Sequence, residues 1–310
     1  MEYFYLVGGL IILLYSGNFL VKGGVSLARH YNISTLVVGV TIISFGTSAP
    51  ELLVSVQAAV AGHPDIAIGN VIGSNIANIA LVLGLTTIIL PIPVRKNSIV
   101  IDWPIMMFAG ILLYILLMDN WLSLWEGLIF VVFLTAFLVW SIHKSRLQNL
   151  ILKEVPPKPS MSIPVSVLVV LASSVGLAVG SNWLVKGAAE IAETLGVSER
   201  IISITIIAFG TSVPELATSL IAAVKKETDI SIGNIIGSNI FNIFGILGIT
   251  SVIKSIPVNF FAFRLDIAWM LSIFLLLFAF ILPAKGGRLR RWEGVILFLV
   301  YLVYIYWLFK

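Results

Sequence analysis

The chain has 310 residues, of which 59% are hydrophobic and only 11% charged, more apolar material than a water-soluble domain hides in one core. Its net charge of +4 would suit nucleic acid only if the basic residues gathered on one face, and they follow the polar loops instead. Cysteine is absent, which excludes disulfide frameworks and thiolate chemistry.

A helix needs about 20 apolar residues to cross a bilayer. Stretches of that kind fall at 4–22, 34–60, 66–90, 99–117 and 121–142, and again at 163–185, 198–224, 230–253, 265–283 and 292–309. Their continuous apolarity fits helices rather than the alternating strands of a barrel. The fold class expected is therefore an all-α integral membrane protein of ten transmembrane helices. The first stretch is as short as a signal peptide, but it lacks a basic leader and has a counterpart in mid-chain, so it is read as a permanent span. If the polar segment after the fifth stretch is cytoplasmic, 14 basic residues fall inside, among them Arg29, Arg95, Arg146, Lys153 and Lys285, and five outside, including Arg200 and Lys310. That bias places both termini outside and the 143–162 linker in the cytoplasm.

The second and third stretches carry the polar residues. In TIISFGTSAPELLVS, residues 41–55, a carboxylate (Glu51) and a helix breaker (Pro50) sit amid apolar residues, and GNVIGSNIANI follows at 69–79. Both segments return 164 residues later, as TIIAFGTSVPELATS with 11 of 15 identities and GNIIGSNIFNI with 9 of 11. Each copy lies in a unit of five spans, an odd number, so the second copy enters the membrane from the opposite side and the halves form an inverted repeat. The expected division is 1–142 for the first half, 143–162 for a linker and 163–310 for the second half.

A carboxylate at bilayer depth costs about 3 kcal/mol on insertion scales, so it is retained facing a partner or a wet cavity. Glu51 and Glu215 are the two mid-span acids, they are repeat mates, and no basic residue lies at their depth to pair with them. Pro50 and Pro214 lack an N–H, which frees carbonyls near residues 46 and 47 and near 210 and 211 and predicts breaks in the second and seventh helices. Carbonyls, the hydroxyls of Thr47, Ser48, Thr211 and Ser212, and two carboxylates are all oxygen ligands, a set suited to Ca²⁺ and Na⁺. Asn70, Ser74 and Asn78 share one helix face by four-residue spacing, as do Asn234, Ser238 and Asn242, and extend the polar shell. Gly69 with Gly73, and Gly233 with Gly237, let neighbouring helices approach closely.

The doubled G-T-S-x-P-E and G-N-x-I-G-S-N-I-x-N-I, in opposed halves of a ten-helix chain, resembles the alpha-repeats of the sodium/calcium exchanger family within the cation/Ca²⁺ antiporters. The resemblance implies cation sites built around Glu51 and Glu215, with Thr47, Ser48, Thr211, Ser212, Ser74, Asn78, Ser238 and Asn242 as ligands and backbone carbonyls from Ser44 and Ala208. It also implies alternating access in which the first helix of each half slides; Gly23 and Gly187, in the repeated NFLVKG and NWLVKG near the ends of those helices, are read as hinges. Some relatives carry Asp where this chain has Asn242, which argues against K⁺ co-transport. The ions implied are Ca²⁺ and Na⁺ as substrates, with no cofactor, no nucleic acid and no obligatory protein partner, in the plasma membrane of a prokaryote.

Blander readings stand beside these. Asp102 and Asp266 start helices and read as caps. His30, His63 and His143 lack metal-ligand spacing. The tryptophans, including Trp103, Trp121, Trp125, Trp292 and Trp307, read as interfacial anchors. Two alternatives compete with Na⁺/Ca²⁺ exchange: an H⁺/Ca²⁺ antiporter of the same superfamily, and an intramembrane metal-dependent enzyme, which would need mid-span His or Cys ligands that the sequence does not supply.

Overall fold

The computed structural model describes residues 1–152, 158–197, 208–282 and 287–308. Apolar chain with no water to satisfy its amides forms helix, and the described residues are nearly all helical: α1 Glu2–Tyr31, α2 Thr35–Thr47, α3 Ala49–Val60, α4 Pro64–Ile89, α5 Ser98–Asp119 and α6 Leu124–Leu152, then α7 Ile163–Thr194, α8 Val213–Val224, α9 Thr228–Ile253, α10 Phe260–Ile281 and α11 Arg291–Leu308. Among the described residues, eight helices are long and apolar enough to span a membrane, and α2 with α3 forms a ninth span bent by 47°. The short α8 follows a single turn at Ala208–Gly210, so the seventh span is broken at the matching place. Its first part, from 198 to 207, lies outside the described residues, as do Arg200, Lys153, Lys285 and Lys310 of the charge tally.

Two spans run further than hydropathy alone suggests. α1 continues through Lys22 and Arg29 until Asn32 turns left-handed, with φ 52°, and its N–H closes on the Ala28 and Arg29 carbonyls. α6 continues to Leu152 and so takes up residues 143–152 of the expected linker.

α4 and α9 are the central helices, with 78% and 89% of their most apolar stretch buried, against 22% to 33% for the other long spans. Around them the halves interlock. Strand β1 (Ile92–Pro93) pairs antiparallel with β4 (Arg288–Leu289), and β2 (Trp121–Leu122) pairs with β3 (Ile256–Pro257). β1 and β3 are repeat mates 164 residues apart, and β2 and β4 are mates 167 apart, so every pair joins one half to the other.

α1 and α7 pack along their lengths as an antiparallel pair outside this core. A Cβ on Gly9 would stand 2.7 Å from the Gly180 carbonyl, and one on Gly180 would stand 3.0 Å from the Gly9 carbonyl, so backbone touches backbone there. The expected hinges belong to the same packing: both helices run unbroken through Gly23 and Gly187, where a Cβ would meet Val170 and the Leu6 amide. These glycines serve close approach in this structure.

Two cap assignments are corrected. Asp102 is 6% exposed, inside the α5 span, and makes no capping bond. Asp266 lies inside α10 and accepts a hydrogen bond from the Tyr304 hydroxyl at 3.0 Å. Trp103 also departs from the anchor reading, since its Nε1 donates to the Phe274 carbonyl at 2.7 Å and its ring stacks on Phe278. The exposed Trp121, Trp125 and Trp292 keep the disposition expected of anchors.

Candidate cation site

The two breaks share one backbone solution. Ser48 has φ −90° and ψ 6°, and its mate Ser212 has φ −89° and ψ 0°, a sparsely used conformation between helix and strand. The prolines that cannot continue a helix then become early residues of a new one, where a missing N–H costs nothing. Glu51 and Glu215 consequently fall in the first turns of α3 and α8, at helix N-termini whose dipoles favour an anion. Each break thus places a carboxylate and a helix N-terminus together inside the membrane.

Thr47, Ser48, Glu51, Ser74 and Asn78 from the first half, and Ser212, Glu215, Ser238 and Asn242 from the second, are all buried to 3% exposure or less. Thr211 is half-buried at the second break. The halves are joined inside the site, because the Ser48 hydroxyl donates to Glu215 Oε1 at 3.0 Å, and Thr47 reaches the Asn234 side chain at 3.1 Å and Ser238 at 3.5 Å. Through the Ser48 bond Glu215 is tied to the residue that precedes the helix carrying Glu51. No basic side chain pairs with either carboxylate among the described residues.

Buried polar atoms are normally hydrogen-bonded, and this site breaks that rule in a concentrated way. Among the described residues, Glu51 Oε2, Glu215 Oε2, Ser74 Oγ, Ser212 Oγ and the side-chain amides of Asn78 and Asn242 are buried without a partner. That is a set of oxygens from both halves of the kind a hard cation binds, at the lower end of the six to eight that Ca²⁺ takes.

Two expected details differ. The Gly210 carbonyl is taken by the Ser181 hydroxyl of α7, at 2.5 Å, so this freed carbonyl is bound to a neighbouring helix. The Ser44 carbonyl accepts both the Ser48 amide, at 2.9 Å, and the Thr47 hydroxyl, at 3.3 Å. Of Ala208 the backbone is described, in the turn before the second break.

The supporting shell holds residues that the motifs contained but whose work was not readable from them. Asn70 donates to the Glu51 carbonyl at 3.1 Å and to Ser55 at 2.9 Å, and Asn234 donates to Ser219, also at 2.9 Å. Ser55 and Ser219 close the repeated fifteen-residue segment, which is the one sequence signal that marked them. α4 and α9 widen into π turns over Ala77–Leu83 and Phe241–Leu247, repeat mates that begin beside Asn78 and Asn242. Gly233 and Gly237 press α9 onto α2 as expected, with a Cβ on Gly233 standing 2.7 Å from the Leu36 carbonyl. Among the described residues, a Cβ on Gly69 would meet only Phe263, at 3.7 Å, and one on Gly73 would meet nothing within 4 Å.

Comparison with known proteins agrees with this geometry. The family model described as sodium/calcium exchanger protein matches residues 1–143 and 165–310. The chain is 34% identical to the inner membrane protein YrbG of Escherichia coli, over 98% of this chain and 96% of that one. It is 28% identical to the sodium/calcium exchanger MaX1 of Methanosarcina acetivorans, over 100% and 99%. The solved sodium-calcium exchanger NCX_Mj, soaked with zero Na⁺ and Ca²⁺, superposes with a TM-score of 0.83 at 34% identity, covering 99% of this chain and 98% of that one. Soaked with Na⁺ and Ca²⁺, it gives a TM-score of 0.80. The chain belongs to the sodium/calcium exchanger family, and is an integral membrane cation/Ca²⁺ antiporter rather than an enzyme.

Proposed function

We propose that the protein exchanges Na⁺ for Ca²⁺ by alternating access at one site between its halves. The observation that carries this reading is the pair of repeat-related carboxylates, each with one oxygen buried and unpartnered, set among partnerless hydroxyl and amide oxygens from both halves. Two carboxylates neutralise one Ca²⁺, so the loaded site can be enclosed without a bare charge. Several Na⁺ ions balance the same two charges, which makes the ions competitors for one cage. An empty cage leaves two anions facing each other in a poor dielectric, and its conversion between inward and outward forms is slow. Exchange follows from these three statements, and uniport does not.

The proposed ligands are Glu51, Glu215, Thr47, Ser48, Thr211, Ser212, Ser74, Asn78, Ser238 and Asn242, with the carbonyls of Ser44 and Ala208. The Ser44 carbonyl then exchanges a hydrogen bond for an ion. The halves run from 1 to 142 and from 163 to 310, and the segment between the two matched stretches of the family model, 144–164, coincides closely with the 143–162 linker. In this reading the linker is cytoplasmic and both termini lie outside, in a prokaryotic plasma membrane.

Na⁺ coupling is favoured over H⁺ by the named activities of MaX1 and NCX_Mj. Uptake of radiolabelled Ca²⁺ into proteoliposomes tests it: an outward Na⁺ gradient drives accumulation, and choline in place of Na⁺ abolishes it. Equal uptake with choline under an imposed pH gradient would establish the proton-coupled antiporter instead.

A further inference from the structure

A cavity of about 870 Å³ opens on the flank of the protein, away from the cation site. Its walls are α6 from Leu138 to Arg146 and α7 from Val167 to Val179, and its floor is the outer side of the break between α2 and α3, at Phe45, Gly46 and Pro50. The lining is almost wholly hydrocarbon. Of the three hydroxyl residues that line it, Thr41 donates to the Val37 carbonyl at 2.7 Å and Ser174 to the Val170 carbonyl at 3.0 Å, so both are already used. The third, Tyr31, lies at the end of the groove under Arg146, whose guanidinium stands 5.9 Å over its ring, so polar recognition is confined to that end. The Arg146 Nε donates to the Tyr31 carbonyl at 3.1 Å, which fixes the guanidinium beside the groove, and no carboxylate pairs with it among the described residues.

The dimensions select the occupant. Twelve helical steps from Val167 to Val179 cover about 18 Å, close to the roughly 15 Å depth of one bilayer leaflet. A basic band lies at the Arg146 end: Lys144 rests over the Trp140 ring, and Arg29 donates to the Lys158 carbonyl. An apolar slot one leaflet deep, closed at one end by a guanidinium with open donors, complements a single molecule class in a membrane.

We propose that this groove is a phospholipid site, in which an acyl chain lies between α6 and α7 against the Gly46–Pro50 break and Arg146 holds an anionic headgroup. The chain then touches the backbone that positions Thr47, Ser48 and Glu51 on its other side, while α7 forms the opposite wall. Bilayer composition thereby acts on the site through the packing of α7 against α2.

The test is photolabelling of the full chain in vesicles that carry trace amounts of a phospholipid with a diazirine near its acyl terminus, made with either a phosphatidylglycerol or a phosphatidylcholine headgroup. Peptide mapping is expected to find label on Phe45–Pro50 as well as on lipid-facing positions such as Leu168, with the anionic probe labelling the floor several-fold more than the neutral one. Arg146→Gln should reduce the anionic probe to the neutral level on the floor without changing Leu168. Ala178→Trp, which fills the slot, should lower floor labelling with both. Absence of label from Phe45–Pro50 in the wild type would overturn the site. Equal floor labelling by the two probes would overturn the headgroup assignment, and needs no variant. Binding is read here without transport, so its outcome is separate from that of the Na⁺ exchange assay.

Discussion

The hydroxyl of Ser48 donates to Glu215 Oε1 at 3.0 Å, so a residue of the first break is bound to the carboxylate of the second. The cation site proposed here is therefore drawn from both halves. The bond also leaves the other oxygen, Oε2, without a protein partner. In the proposed function, ion binding belongs to this seam.

Glu51→Gln and Glu215→Gln each remove one anion from the seam while keeping its shape. Each should reduce Ca²⁺ exchange below about 1% of wild type while the protein remains inserted and monodisperse, because one carboxylate cannot neutralise Ca²⁺ in a poor dielectric. Near wild-type exchange from either variant would make that glutamate structural.

Asn242 sits buried within the π turn of α9 with both amide atoms unpartnered. Asn242→Asp adds a third carboxylate, which must lose its proton before it can bind a cation. Ca²⁺ uptake by the variant should fall more steeply than that of wild type as the pH drops from 8 to about 6. Parallel pH profiles would show that position 242 does not face the ions.

Arg95 grips Asp229 with two contacts, Nε at 2.8 Å and a terminal nitrogen at 2.5 Å, and joins the segment after α4 to the start of α9. The arginine side chain is 61% exposed, so solvent screens the pair and its worth is about 1 kcal/mol. Arg95→Gln should lower thermal stability in detergent, and Arg95→Gln with Asp229→Asn should recover most of the loss. Additive losses in that cycle would mean that the two residues are not coupled.

α1 and α7 have backbone contact along their packed length, so the sliding proposed for them is motion as one body. A Cβ on Gly176 would lie 3.1 Å from that of Ser16, near the 3.5–4.5 Å separation of a disulfide. With no native cysteine in the background, oxidised Ser16→Cys with Gly176→Cys should retain exchange. Oxidised Gly17→Cys with Ile221→Cys, which ties α1 to α8 where Gly17 meets the Ile221 side chain, should stop it. Inhibition by the first bridge as well, in protein that recovers on reduction, would show that α1 and α7 slide past each other.

Much of this was legible in the sequence because the signals were long and doubled. The spans, the inverted halves, the breaks at Pro50 and Pro214 and the buried carboxylates follow from apolar length and from two motifs repeated at one spacing. Other features depend on contacts that no local pattern encodes. Two-residue strands such as Ile92–Pro93 are too short to show a period, and their partners lie in the other half. Asp102 resembles an interfacial cap because hydropathy places it at a span end, yet the packed helices enclose it. The Gly210 carbonyl was freed by Pro214 on paper and claimed in space by Ser181, a residue of a different span. Gly23 and Gly187 are read as hinges from their place in the repeated NFLVKG and NWLVKG, whereas the close approach they allow depends on what stands opposite them.

The crossed pairing of the small strands also gives the seam the symmetry of a dimer interface. Because β1 and β3 are copies, as are β2 and β4, the pairs β1–β4 and β2–β3 are the same contact made twice about an axis. Two identical five-helix chains facing each other in opposite orientations would clasp in this way, each lending one strand to the other and receiving one in return, as an isologous dimer does. The internal seam therefore has the form of an isologous interface between the two halves of one chain. The halves are not identical along their length: Asp266 accepts from Tyr304, while Oδ2 of its mate Asp102 has no partner.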